Sequence, residues 1–362
     1  MSNMKIAFVS GKNFADKLHG GVQCSIRNYN AIMYFSPNAT IDFFEIHELK
    51  SKNNEVMRIF NLIFAFLCIA KFKNMIKNIL NYNFIFVDTS LLGVLIKIIK
   101  VKNPKAKIIT FFHNIEYDLI GYSYENKPFR RKISKWAVFF NEAWSVKYSD
   151  ILITLTHRDS GKMEKFYRKK SDAIIPISFL NRNIMFSQEK INTPLTALFL
   201  GSYFLPNIHG IEWFIENVLP FVNLRLKIIG NIHKAISFQH EKMEFCGYVE
   251  NLDEYMQNAD FMLFPIFIGG GMKVKTCEAL MHGKNIIGTR EAFEGYDIDF
   301  EKVGACCETA EEFIRAINEF PERFYYKFNE YSRNTYIEKY SDNLIFKQFA
   351  RVFENCLHED NR

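Results

Sequence analysis

The chain lacks what a disulfide scaffold, a dithiol motif or a membrane span would need. Its seven cysteines are an odd number, none forms a C-x-x-C pair, and only Cys306 and Cys307 are neighbours. That usage points to reduced thiols and a cytoplasmic protein. No apolar run approaches the roughly 20 residues of a spanning helix. The most apolar segment, "IFNLIFAFLCIA" at 59 to 70, reads either as a buried helix or as one lying on a bilayer. The N-terminus, "MSNMKIAFVSG", has neither a long apolar region nor a small-residue cleavage site, so it reads as a first β-strand and not as a signal peptide. The chain after that strand is "SGKNFADKLHGG", without G-x-G-x-x-G and without an acidic residue at the usual later position. A nicotinamide-dependent dehydrogenase is therefore a poor reading.

With 362 residues, 48% hydrophobic and 24% charged, the chain has enough material for two cores. Its net charge of +6 hides an asymmetry. Residues 1 to 185 hold 28 Lys/Arg and 14 Asp/Glu, a net of +14, while residues 186 to 362 hold 18 and 26, a net of −8. The basic clusters are Lys71, Lys73 and Lys77, then Arg130, Arg131, Lys132 and Lys135, then Lys165, Arg168, Lys169 and Lys170. Interleaved Phe and Ile suit an anionic membrane surface or a phosphorylated lipid better than a nucleic-acid groove. A plain solvated face is the alternative.

Short apolar runs alternate with helical patterns, the signature of parallel sheets covered by helices. The first half offers "KIAFVS", "IDFFEI", "FIFVDTS", "KIITFFH", "ILITLT" and "AIIPI" as strands. After the polar, irregular stretch "PISFLNRNIMFSQEKINTP" the pattern restarts near residue 195 with "TALFLGSY", "RLKIIGN", "MEFCGYV", "ADFMLFPIF" and "KNIIGT". The reading is an α/β chain of two Rossmann-like, doubly wound domains, residues 1–186 and 187–340, followed by a helix over 341–362 that crosses back to the first domain. In such domains ligands bind at the carboxyl ends of the strands, which predicts a cleft between the two.

The stretch "GGGMKVKTCEAL" follows the apolar run "FMLFPIF", so Gly269, Gly270 and Gly271 lie in a strand-to-helix loop. Glycines there let backbone N–H groups approach a ligand, and the helix N-terminus adds partial positive charge. Lys273 and Lys275 can close on a diphosphate as charged donors. Glu278 falls far enough into the helix to accept from sugar hydroxyls.

The order of segments from "ALFLGSYFLPNIHGIEWFIENVLP" at 197 through "LKIIGN", "FCGYVENLDEYMQNADFMLFP" and "GGGMKVKTCEALMHGKNIIGT" to "EAFEGY" resembles the donor-binding domain of the family-4 retaining glycosyltransferases, the glycosyl transferases of group 1. The resemblance covers residues 197 to 296; in the first half it rests on "LHGGVQ" and "FFHNIEYD". It implies a GT-B fold, two Rossmann-like domains facing across a cleft, and transfer of a sugar from a nucleotide-sugar donor. Carried over position by position, Glu278 holds the ribose hydroxyls, Gly269, Gly270, Gly271, Met272 and Lys273 face the transferred sugar and diphosphate, and Tyr248 and Val249 border the base. His113 faces the sugar near the anomeric carbon, and Gly20 and Gly21 close over the diphosphate. His113, Glu278 and Lys273 are thus the catalytic candidates.

Two departures stand out. The first glutamate of the family's E-x7-E element falls at Gly270, and the Arg/Lys pair common after the first strand of the donor domain is replaced by Ser202 and Asn207. Lys273 and Lys275 are expected to substitute for that pair. Asp297 and Asp299 form a D-x-D pattern in "EGYDIDFE", but lie beyond the donor segment and read as a polar turn, so no essential metal and no cofactor are expected. The expected partners are a nucleotide-sugar donor, a glycan or polyprenyl-diphosphate-linked acceptor and an anionic membrane touched peripherally on its inner face, with no nucleic acid. The rival is a non-catalytic nucleotide-sugar-binding or scaffold subunit of a glycan-assembly complex.

Overall fold

In a computed structural model the described residues are 4–11, 14, 20–46, 70–120, 128–182, 189–236 and 239–358. Leu18 and His19 of the expected glycine loop, residues 59–69 of the apolar segment, and the side chains of Lys71, Lys73 and Arg130 lie outside them. The chain divides into two compact units, Met1–Pro176 with Ile345–Arg362, and Ile177–Leu344.

The first unit is a parallel sheet of β1 (Lys5–Ser10), β2 (Thr40–Glu45), β3 (Phe84–Val87), β4 (Lys107–Phe112), β5 (Ile151–Thr154) and β6 (Ala173–Ile174), in the order β2-β1-β3-β4-β5-β6. Its principal helices are α1 (Gly20–Phe35), α2 (Ala70–Ile79), α3 (Gly93–Lys102), α4 (Pro128–Tyr148) and α5 (His157–Tyr167). The inner strands are apolar on both faces because helices cover both. Ala7, Val9, Ile85, Val87, Ile96, Ile99 and Ile108 form one such core. Asp150 ties the sheet to a helix, its carboxylate accepting from the Ile108 N–H and from Lys100 Nζ, each at 2.8 Å.

The second unit repeats the plan with β7 (Leu195–Leu200), β8 (Leu224–Ile229), β9 (Met243–Gly247), β10 (Phe261–Phe264), β11 (Asn285–Gly288) and β12 (Gly304–Cys306). Their order, β12-β11-β10-β7-β8-β9, is that of a doubly wound dinucleotide-type sheet. Helices α6 (Leu205–Asn217), α7 (Leu252–Asn258), α8 (Val274–Met281), α9 (Ala310–Asn318) and α10 (Glu330–Thr335) accompany it. Thr309 and Glu312 close a reciprocal capping box at the start of α9. The last strand, β12, is absent from the sequence reading, because "GAC" is too short to show alternation.

The division at 176/177 comes before the 186/187 boundary expected from the polar stretch. Ile177, Ser178 and Phe179 already bond within the second unit: Tyr336 donates its hydroxyl to the Phe179 carbonyl at 2.7 Å, and Ser178 to Asp342. The final helix, α11 (Asp342–His358), belongs to the first unit from Ile345 onward. There Phe353 stacks near Phe35 and Phe84 at centroid distances of 4.4 and 5.6 Å, and Phe349 lies 6.3 Å from Phe111.

Candidate active site

In the second unit the strand order reverses between β7 and β10, which leaves a crevice beyond their carboxyl ends. The loops after these two strands carry most of the residues expected to hold a donor. Lys275, in the first turn of α8, bonds through Nζ to the Leu200 carbonyl at 2.6 Å and to Asn207 Oδ1 at 2.9 Å. Asn207 in turn donates to the Ser202 carbonyl at 3.2 Å and to its hydroxyl at 3.3 Å. Ser202, Asn207 and Lys275 thus form one chain of polar contacts at the end of β7, beside the rings of Phe199 and Phe264. Burial, and then the charge of Lys273, bring the Lys275 ammonium down to about 7.

Gly271 has φ 56°, the left-handed region that a side chain would strain, so the loop turns sharply just before α8. Met272 points its side chain inward, where its sulfur accepts from the Ile177 N–H at 3.4 Å, so only its backbone faces the loop. Lys273 folds back over the glycines. Its Nζ donates to the Gly271 carbonyl at 3.1 Å and pairs with Glu291 at 2.7 Å. A Cβ at Gly269 would stand 3.0 Å from Lys273 Cε and 3.1 Å from Glu291 Oε1, so glycine there makes room for the pair. Glu291 escaped the sequence reading because it lies on a separate turn after β11, far from the motif.

Glu278 is buried one turn further along α8, and burial lifts its carboxyl to about 7, with Arg182 opposing and Asp253 adding to the rise. Arg182 and Asp253 are themselves paired at 2.9 Å, and His282 lies 3.4 Å from the same Asp253 oxygen. Tyr248, largely exposed, and the half-buried Val249 follow Gly247 at the end of β9. These properties give opposite pH signs for two parts of a nucleotide. A carboxylate accepts from hydroxyls more strongly than a carboxylic acid does, so nucleoside affinity is expected to rise from pH 6 to 8 as Glu278 ionises. Inorganic diphosphate is expected to bind less well over the same range as Lys275 loses its proton. Calorimetry with each fragment checks this, and Glu278→Gln should flatten only the first profile.

In the first unit the order reverses between β1 and β3. Gly20 and Gly21 open α1 after β1, Asp88 follows β3, and His113 follows β4. His113 Nε2 lies 3.2 Å from Asp88 Oδ1 and 3.1 Å from its carbonyl. Asp88 also accepts from Asn28 at 2.6 Å and from Ser10 at 3.3 Å. Arg27, 3% exposed, donates from Nη2 to Cys24 Sγ at 3.3 Å, while its Nε and Nη1 have no hydrogen-bond partner among the described residues. Its guanidinium lies 5.5 Å from the Phe111 ring centroid and 5.2 Å from that of Phe349. Burial pushes the Cys24 thiol up, but Arg27 and His113 outweigh it and hold the thiol below its ordinary value. Burial likewise opposes the charge on His113, yet Asp88 and Cys24 outweigh it and raise the imidazole to about 10. The buried cations Arg27 and His113 therefore flank the Cys24 thiol, and Asp88 balances His113.

The loop after His113 is clamped from α4. Glu142 accepts from the Glu116 and Tyr117 N–H groups at 2.9 and 3.0 Å and from the Tyr167 hydroxyl at 2.7 Å. It thereby caps the single turn Glu116–Leu119 with a buried carboxyl that burial lifts to about 7. Neither Asp88, Cys24, Arg27 nor Glu142 was singled out from the sequence. The one available signal was a lone acid at the end of an apolar strand, in "FIFVDTS". In the second unit, Asp299 caps the turn Phe300–Val303 and Asp297 pairs with Lys339 at 2.7 Å, so the D-x-D pattern forms a polar turn.

Residues 194–322 match the sequence pattern of the family described as Glycosyl transferases group 1. No curated protein matches the chain. Among solved structures, the lipopolysaccharide outer core galactosyltransferase WaaB is similar at 14% identity and TM-score 0.65, covering 99% of this chain and 100% of that one. Sucrose-phosphate synthase from Thermosynechococcus elongatus is similar at 12% identity and TM-score 0.74, covering 98% and 100%. Anabaena HepE in complex with UDP and glucose is similar at 11% identity and TM-score 0.61, covering 97% and 100%. The chain therefore has the GT-B fold of two six-stranded parallel α/β units, and its second unit carries the sequence pattern of glycosyl transferases group 1.

Proposed function

We propose that the protein is a retaining glycosyltransferase that moves a sugar from a nucleotide-diphosphate donor to a glycan or polyprenyl-diphosphate-linked glycan. Its place is bacterial surface polysaccharide synthesis, at the inner face of the membrane. The observation that carries this reading is the convergence of the glycine loop, Lys275 and Glu278 at the switch point of the second sheet, within the matched segment. Structural neighbours that hold UDP or UDP-glucose support the donor class. Retention rests on the resemblance to retaining relatives.

In the proposed reaction the glycosyl carbon to phosphate oxygen bond breaks and a bond to the acceptor oxygen forms on the same face of the sugar. The departing phosphate oxygen takes the acceptor proton. Positive charge grows on the sugar and negative charge on the diphosphate, so fixed cations and backbone donors aimed at the leaving group supply the main stabilisation. Lys273, Lys275 and the start of α8 fill that role, and Glu278 anchors the ribose. A thermal-shift screen of nucleotide-sugars tests the reading, since a ligand bound only by the folded state raises apparent stability. Hydrolysis of the identified donor without acceptor then separates an enzyme from a binding subunit, and no stabilisation by any member of the panel would refute both.

Glu291 has a place in this scheme. Gly270 lacks the carboxylate that relatives present to the donor hexose, and Glu291 sets one beside the same loop. When the diphosphate draws Lys273 away, Glu291 can accept from sugar hydroxyls. Glu291→Gln should weaken binding of the nucleotide-sugar about tenfold while leaving the nucleoside diphosphate unchanged or tighter, as calorimetry with the two ligands would read. An equal effect on both would make Glu291 only a counter-ion of Lys273.

A further inference from the structure

Helix α4 carries an apolar stripe that the described residues leave largely uncovered. Phe129, Ile133, Trp136 and Phe140 are 76, 38, 55 and 36% exposed. They recur at intervals of four, three and four residues, which places them along one side of a helix. Trp136 and Phe140 touch each other, their ring centroids 4.6 Å apart. The opposite side of α4, including Ala137, Val138, Glu142 and Val146, is buried in the unit. The stripe is therefore additional to what the core needs, and a run of four large apolar side chains in water is unfavourable unless something covers it.

The charges around it say what that is. The range 128 to 148 contains five Lys/Arg and a single acid, Glu142, which is fully buried. Arg131 and Lys132 are exposed in the first turns, and Lys132 stands one turn before Trp136 beside the stripe. Lys135 lies over the ring of Tyr117. The exposed surface of α4 is thus cationic and apolar with no negative group, in a half-chain of net charge +14. A second copy of the same face would bring like charges together, so self-association is opposed. A surface that is negative, extended and apolar just beneath its charge is complementary.

We propose that α4 is the membrane-docking face of this protein, with Phe129, Ile133, Trp136 and Phe140 entering the interface of an anionic bilayer and Lys132 engaging lipid headgroups. The assignment rests on the membrane part of the proposed function and specifies the surface that performs it. Aromatic rings suit the headgroup level, and each cation near an anionic surface strengthens binding about fivefold at low salt.

The test uses the full-length protein with vesicles of phosphatidylcholine alone or mixed with phosphatidylglycerol. The wild type should sediment with the anionic vesicles at low salt, lose binding in high salt, and show a blue shift of tryptophan fluorescence that Trp136→Phe abolishes. The double substitution Phe129→Ser with Trp136→Ser should reduce vesicle affinity at least tenfold, without change in melting temperature or nucleotide binding, since both side chains are mainly exposed. If the wild type binds and the double variant binds equally, α4 is the wrong surface while the membrane reading stands. If the wild type ignores anionic vesicles, both fail, and nucleotide binding still decides the transferase reading separately. A wild-type dimer that the double variant breaks would also overturn the proposal, by making the stripe a self-interface.

Discussion

Replacing Lys273 and Lys275 together by Ala is expected to lower nucleoside-diphosphate affinity by roughly two to four orders of magnitude. Each charged hydrogen bond to a phosphate contributes about 1.5–3 kcal/mol, and about 1.4 kcal/mol is a factor of ten. The two lysines do not act alike. Lys273 is spent on Glu291 until a diphosphate competes for it, whereas Lys275 is buried and bonded to Leu200 and Asn207. Lys275→Ala therefore leaves two acceptors without their donor, and Lys275→Met, which keeps the stem packed between Phe199 and Phe264, is the cleaner single variant. Calorimetry on variants that melt like the wild type gives the answer, and unchanged affinity in the double variant would remove the lysines from the diphosphate site.

The second large effect is expected at Asp88. Its removal leaves the buried charges of His113 and Arg27 without their carboxylate, and breaking a buried ion pair by deleting one partner costs about 3–5 kcal/mol. Asp88→Ala should accordingly lower the melting temperature of the protein by about 6–20 °C, with Asp88→Asn falling between it and the wild type. The pH dependence has a definite sign. His113 is raised from 6.5 to about 10, so its contribution is complete below about 6.5 and is lost as pH climbs towards 10. Asp88 is held low by His113 and by hydrogen bonds despite its burial, so its contribution is lost only on the acid side, as pH falls through that lowered value. The Cys24 thiol, also held low, acts in the opposite sense to His113 on the alkaline side. In a Cys24→Ala background, melting temperature should therefore decline between pH 7 and 10, and Asp88→Asn should shrink that decline. A flat profile in the Cys24→Ala protein would mean that His113 is neutral and its pairing with Asp88 is not ionic.

The sheet strands were legible because buried parallel strands must be apolar along their whole length, and runs such as "FIFV", "ILIT" and "FMLF" meet that condition without help from neighbours. The glycine loop and α8 were legible because their residues are consecutive, so the chain itself sets their spacing. Glu291, Asp88, Cys24 and Arg27 were not, for the converse reason. Lys273 meets Glu291 across 18 positions, and His113 meets Asp88 across 25. Only the parallel crossovers that return successive strands to the same edge bring such residues together. The stripe on α4 was read in the sequence only as basic residues mixed with Phe and Ile, because periodicity shows that a helix has two sides but not which side its own domain will cover.

By itself, then, the sequence determined two α/β units, the segment that matches a glycosyltransferase pattern, and the loop with its two lysines and glutamate, all of them local patterns of hydrophobicity and spacing. Tertiary structure alone decided which charges face one another and which apolar residues stay in water. Those depend on distances between residues far apart in the chain, and the free energy of a buried charge or an exposed ring belongs to its surroundings and not to its neighbours in sequence.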